Sequence, residues 1–431
     1  MNPTIKTNSV ISLADQPIQI TIDGLSPNTR IKVKASSTDY YCMNAPVTVG
    51  LKSVWESYAI FKSDSFGCVD LDKSIPLEGS YETANGMGLL TMMKPIRIMS
   101  EERSRQLSKV PFNNSYTVSL QAEVNGNAVC STNIKRTFQS ENTICIEIQE
   151  KELLGRFFTG KDRKPRPGVI VVSGSDGRIE KAQSIAQLFA EHGYSALAVS
   201  YFGLEGVSED LSLVPLEYIE NAIHWMQYEQ SVEDDKIAIY GRSKGGELAL
   251  LAATLFPQIT GVIANTPSSY VMEGLTSKGR NSKKSSWRYE GKSFIYVRFR
   301  MSALLGYGLS RLFLHKGNLS DIYKRLIKNR EIDKAQIPVE KINGPVLLLS
   351  SEKDEIWPST IFCRMIMERL EQQQFAHKYN HQSYQKCGHY LNIACQSNPR
   401  EQDIEFSIDT QDAWNTTIYF LDEWSNRSKS M

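Results

Sequence analysis

The sequence predicts an α/β protein, a doubly wound parallel sheet preceded by an antiparallel β-sandwich of immunoglobulin-like type. Three observations predict it. The hydrophobic pattern changes near residue 140, from short alternating runs to continuous apolar ones. The later apolar runs alternate with segments of helical periodicity, the rhythm of βαβ units. One of them leads into Gly241-Arg242-Ser243-Lys244-Gly245, a G-x-S-x-G pentapeptide followed by strong helix formers.

The N-terminal part reads as strands separated by turn signals. Ile18 to Ile22 ends at Asp23-Gly24, Thr29 to Lys34 alternates, and Ser115 to Val124 ends at Asn125-Gly126-Asn127. Such half-buried, turn-punctuated strands fit aligned sheets. They carry no catalytic constellation. The sandwich is assigned to residues 1–139 and the α/β domain to 140–431.

In the second part the apolar runs suited to a buried parallel sheet are Val169–Val172, Ala196–Val199, Ile237–Tyr240, Val262–Ala264 and Val346–Leu349. Helical patterns are expected at about 180–192, 215–229, 244–256, 359–373 and 411–425. In such a fold ligands bind beyond the carboxyl ends of the strands.

Composition narrows the function. Lys and Arg number 49 against 48 Asp and Glu, so no global charge draws the chain to nucleic acid. No stretch of about 18 apolar residues is present, which argues against a membrane-spanning helix. The first residues have neither a basic start nor an apolar core, and the last three are not the S-K-L peroxisomal address. With seven irregularly spaced cysteines, this suggests a cytoplasmic protein without a disulfide framework. No Cys/His set has zinc spacing; His377 and His381 read as solvated surface residues, and no metal or cofactor is expected.

Residues 271–334 break the rhythm. They hold 15 Lys/Arg against 5 Asp/Glu, with Trp287, Tyr289, Phe294, Tyr296 and Phe299 interspersed. A solvated insertion would account for that, and so would a cap over the site that binds an anion.

The pentapeptide supplies the chemistry. A serine at a sharp strand-to-helix turn is exposed above the sheet, at a helix N-terminus that favours developing negative charge. Its hydroxyl needs a base, and the base needs an orienting acid. The required chain order is Ser, acid, His. Asp354 follows the Val346–Leu349 run, with Glu352 and Glu355 as competitors, and His389 lies in Cys387-Gly388-His389-Tyr390. His192, His224 and His315 precede the acid and fail by order, and Cys387 lacks an elbow. The oxyanion hole would use the N–H of Lys244 and one from Ser173-Gly174-Ser175-Asp176-Gly177, with Ser175 favoured over Asp176.

These residues resemble the acyl-CoA thioesterases related to bile acid-CoA:amino acid N-acyltransferase. The resemblance spans nearly the whole chain. It rests on Pro167-Gly168-Val169-Ile170, Gly241 to Glu247, Ile337-Pro338-Val339-Glu340, Asp354 with Trp357, Gly388-His389-Tyr390 and Asp412-Ala413-Trp414. In the N-terminal part it rests on Gly24-Leu25-Ser26-Pro27, Gly79-Ser80-Tyr81, Met87-Gly88-Leu89 and Met93-Lys94-Pro95. The resemblance implies an α/β-hydrolase that cleaves a fatty or bile acyl thioester of coenzyme A through Ser243, His389 and Asp354. The family's N-acyltransferase branch uses cysteine as nucleophile, so Ser243 favours water as acceptor. Here the family's glycine-rich oxyanion loop is shorter, and the basic insertion matches none of its motifs. A carboxylester hydrolase of dienelactone type and a non-catalytic binding protein are the rival readings.

Overall fold

The computed structural model describes residues 2–46, 48–100, 104–111, 113–175, 178–298, 318–327, 330–391, 393–401 and 403–426. The chain divides into two compact units. One comprises Met1–Arg103, Phe112–Ser140 and Asn392–Trp414; the other comprises Ser104–Pro111, Glu141–Leu391 and Asn415–Met431.

The first unit is built on a seven-stranded and a three-stranded sheet. Arg30–Ser37, Val54–Lys62 and Ser115–Val124 alternate buried and partly exposed residues, as strands with one core-facing side must. Tyr40, Trp55 and Tyr116 meet edge-on in its core, with centroids 5.0 and 4.7 Å apart. This unit also takes in a segment from far along the chain. Ser397 N–H donates to Tyr40 Oη at 2.9 Å, and Trp414 Nε1 donates to Asp15 Oδ2 at 2.8 Å.

The second unit is an α/β domain. Its sheet has eight strands: β1 (Thr143–Glu150), β2 (Leu153–Gly160), β3 (Arg166–Val172), β4 (Ser195–Ser200), β5 (Val232–Arg242), β6 (Ile259–Asn265), β7 (Val346–Ser351) and β8 (Tyr379–Tyr384). Their order is β1-β2-β4-β3-β5-β6-β7-β8. β2 runs antiparallel to β1 and β4, and every other pairing is parallel. Helices α1 (Glu180–Glu191), α2 (Glu217–Tyr228), α3 (Lys244–Ala253) and α4 (Ser359–Gln372) follow strands as the periodicity predicts, whereas α5 (Ile404–Trp424) begins before the expected 411–425, its first half belonging to the first unit. All ten residues of α3 are buried, where it packs on β5 and β6.

Between β6 and β7 the insertion forms a hairpin, Glu273–Leu275 with Asn281–Ser285. Trp287–Tyr289 then pairs with Lys292–Ser293 and with Val214–Pro215. A short helix, Leu319–Leu326, lays Tyr323 and Leu326 against the cluster of Tyr270, Trp357 and Phe362. Phe299 and His315 lie outside the described residues. Among the described residues no helix is long and apolar enough to cross a membrane, no cysteine is in a disulfide, and no metal-holding cluster is found.

Candidate active site

Three strand ends converge on Ser243. It follows β5 directly, with φ 57° and ψ −122°. A non-glycine residue held there costs on the order of 1–3 kcal/mol and persists only where its surroundings enforce it. Its N–H donates to Asn265 O at the end of β6, 2.8 Å away, and its carbonyl accepts Glu247 N–H at 3.0 Å. The flanking glycines are sterically obligatory. A Cβ on Gly241 would lie 2.0 Å from Gly245 O, and one on Gly245 would lie 2.4 Å from Ser173 O.

The loop after β8 brings His389 to the serine, with Nε2 2.8 Å from Ser243 Oγ. The loop after β7 supplies Asp354, whose Oδ2 is 2.8 Å from His389 Nδ1. Asp354 is oriented from its other oxygen, because Oδ1 accepts the N–H groups of Ile356 and Trp357 at 3.0 and 3.1 Å. With both oxygens engaged, the carboxylate cannot rotate away from the imidazole. Trp357 in turn donates Nε1–H to Thr266 O at 2.9 Å and lies edge-on to the His389 ring, with centroids 5.9 Å apart. Ser351 Oγ donates to Cys387 O, tying the acid strand to the histidine loop. Ser243, Asp354 and His389 are each about 95% buried, so their contacts act at low effective dielectric.

The competing carboxylates are engaged elsewhere or exposed. Glu352 accepts from Arg364 and Ser383 at 3.0 Å each, and Glu355 is exposed, unlike the buried Asp354. Cys387 is buried. His381 differs from expectation. It is half-buried with Nε2 2.7 Å from Ser350 Oγ, and burial lowers its pKa. Alternation along β8 turns this ring inward.

Lys244 begins α3, so its N–H has no intrahelical acceptor. Its side chain is buried against Glu247, and desolvation lowers its pKa against the opposing pull of that carboxylate. Ser175 lies on an exposed turn after β3, whose start is pinned by Tyr201 Oη donating to Ser173 O at 2.5 Å. Asp176 and Gly177 are outside the described residues. Two neighbours escaped the sequence reading. Arg242 is buried with its guanidinium 5.3 Å from the Tyr390 ring centroid, and Glu247 is fully buried. Both adjoin the elbow, and that adjacency was the available signal.

Residues 15–150 match the family described as "Acyl-CoA thioester hydrolase/BAAT N-terminal region", and residues 214–401 match "BAAT / Acyl-CoA thioester hydrolase C terminal". The chain is 24% identical over 385 residues to peroxisomal succinyl-coenzyme A thioesterase of Mus musculus, covering 88% of this chain and 82% of that protein. It is 25% identical over 367 residues to acyl-coenzyme A amino acid N-acyltransferase 1 of the same species, covering 83% and 79%. An α/β-hydrolase from a Medee basin deep-sea metagenome library aligns at 16% identity and a TM-score of 0.44, over 67% of this chain and all of that one.

Proposed function

The chain belongs to the acyl-CoA thioester hydrolase/BAAT family, and from that premise we infer that it hydrolyses fatty acyl-CoA to the free acid and coenzyme A through an acyl-serine intermediate. The observation that carries this reading is the hydrogen-bonded run from Ser243 Oγ through His389 to Asp354. His389 takes the serine proton as Oγ attacks the thioester carbonyl, while the Lys244 N–H and a donor from the Ser175 turn hold the oxyanion. The C–S bond breaks and coenzyme A leaves as the thiol. Water, deprotonated by the same imidazole, attacks the acyl-serine and releases the acid. Asp354 holds the working tautomer throughout.

The relatives include thioesterases and N-acyltransferases at nearly equal identity, 24% and 25%, so overall similarity does not choose the acceptor. The nucleophile does. An acyl-serine is an oxyester, intrinsically less reactive toward amines than the thioester a cysteine would form. With an acyl-CoA and millimolar glycine or taurine present, the expected product is the free acid with an equivalent of thiol. Mostly amidated product would overturn the hydrolase reading. Equal rates on matched oxyesters and thioesters would favour the carboxylester alternative.

The basic insertion supports a phosphorylated substrate. Lys278, Arg280, Lys283 and Lys284 are exposed on its hairpin, whereas Arg288 is half-buried and donates to Leu213 O at 3.1 Å. Steering by exposed charges is screened as the Debye length falls to about 3 Å near molar salt. KM for acyl-CoA is therefore expected to rise with ionic strength, while an uncharged thioester of the same acyl chain is little affected. Replacing Lys283 and Lys284 by Gln should flatten that dependence with kcat preserved. An equal response of both substrates to salt would dismiss the insertion as a docking surface.

A further inference from the structure

The nucleophile helix carries a buried ion pair that the acyl-transfer steps leave unused. Lys244 and Glu247 stand three apart on α3, about 4% and 0% exposed. Glu247 Oε1 accepts Lys244 Nζ at 3.0 Å, Met272 N–H at 3.0 Å and Trp287 Nε1–H at 2.7 Å, and Oε2 accepts Lys244 Nζ at 2.9 Å. Lys244 Nζ also donates to Ser286 Oγ at 2.6 Å, and that hydroxyl reaches Met272 O at 2.9 Å. The ammonium further lies 5.7 Å from the Trp287 ring centroid.

A pair this deeply desolvated gains little stability over an apolar replacement, so stability is a poor reason for it. Its geometry offers a better one. One carboxylate gathers donors from the first turn of α3 and from two segments of the insertion. The residue it restrains, Lys244, carries the peptide N–H next to the nucleophile. We propose that Glu247 is a positioning residue, which fixes the Lys244 N–H as an oxyanion donor by latching the first turn of α3 to residues 272–287 of the insertion. This rests on the acyl-serine mechanism above but not on the thioester as substrate. It makes the insertion part of the rigid frame of the site.

The test uses the full chain with three variants. Glu247→Gln keeps an acceptor for Met272 and Trp287 but leaves the Lys244 ammonium without its counter-charge. Adding Lys244→Met removes that orphaned charge, and Trp287→Phe removes a single donor. Glu247→Gln should lower kcat by about 10- to 100-fold with KM within about threefold, because a displaced donor acts on the transition state. The rate at which a fluorophosphonate labels Ser243 should fall by a similar factor. The double variant should recover most of the lost rate, and Trp287→Phe should lose about three- to tenfold. If Glu247→Gln does not fold, the double variant and Trp287→Phe decide the matter. Unchanged kcat in Trp287→Phe, a change confined to KM, or a folded double variant no faster than folded Glu247→Gln would overturn the proposal. A parent protein that is labelled at Ser243 but inert to acyl-CoA would refute the thioester reading alone, and the labelling rates would still judge the latch. A parent that is not labelled at Ser243 would overturn both.

Discussion

Replacing Ser243 by alanine is expected to lower turnover by on the order of 10⁴–10⁶, with His389→Ala close behind. Ser243 Oγ and His389 Nε2 stand 2.8 Å apart in a pocket where both side chains are about 95% buried. Neither group has an independent route to reaction: without the imidazole the hydroxyl stays protonated, and without the hydroxyl the imidazole activates only water. Because the two losses disable one unit, the double variant should be scarcely slower than either single. The measurement is thiol release at saturating acyl-CoA, with circular dichroism confirming the fold. Near-normal turnover in Ser243→Ala would remove the assignment, and additive losses would show two separate mechanisms.

The second large effect is expected at Asp354→Asn, a loss of on the order of 10³–10⁴ in kcat. The carboxylate accepts on both sides, from His389 Nδ1 through Oδ2 and from Ile356 and Trp357 N–H through Oδ1. Asparagine has one accepting atom. If its oxygen keeps the two backbone N–H groups, its NH₂ faces Nδ1 and stabilises the tautomer protonated at Nε2, which cannot take the serine proton. If it turns over, the two backbone donors face an NH₂, at a cost of about 1–3 kcal/mol for the buried Trp357 N–H and less for the part-buried Ile356 N–H. KM should change little, since the side chain is buried with both oxygens taken up by His389 and the two backbone N–H groups. A loss below tenfold would place the orienting acid elsewhere.

The five central strands are legible because strands covered on both faces must be apolar at every position, as in β3 and β4. The edge strand β8 hides for the converse reason. β8 reads Tyr-Asn-His-Gln-Ser-Tyr, pairs on one side only, and alternates in burial. β2 contains Arg156, which breaks the apolar run although it is buried, where Glu147, Gln183 and two backbone carbonyls hold its guanidinium. The site is legible as residue types in chain order, because loops after strands share one edge of a parallel sheet. Contacts across long separations are not. Glu247 stands in the quoted motif, yet its partners Met272 and Trp287 lie 25 and 40 residues on and carry no sequence mark. The pairings of Tyr40 with Ser397 and of Asp15 with Trp414 are invisible for the same reason.

Those last pairings bear on how the protein is made. The sandwich is begun by the first 140 residues but finished by Asn392–Trp414. During synthesis its opening strands leave the ribosome roughly 250 residues before the segment that completes them. At about 5–20 residues per second that interval is on the order of tens of seconds. Over that time Tyr40 and Asp15 wait without the donors that Ser397 and Trp414 later bring. The part that emerges first therefore stays incomplete until late in synthesis, and chaperones have a long window in which to hold it.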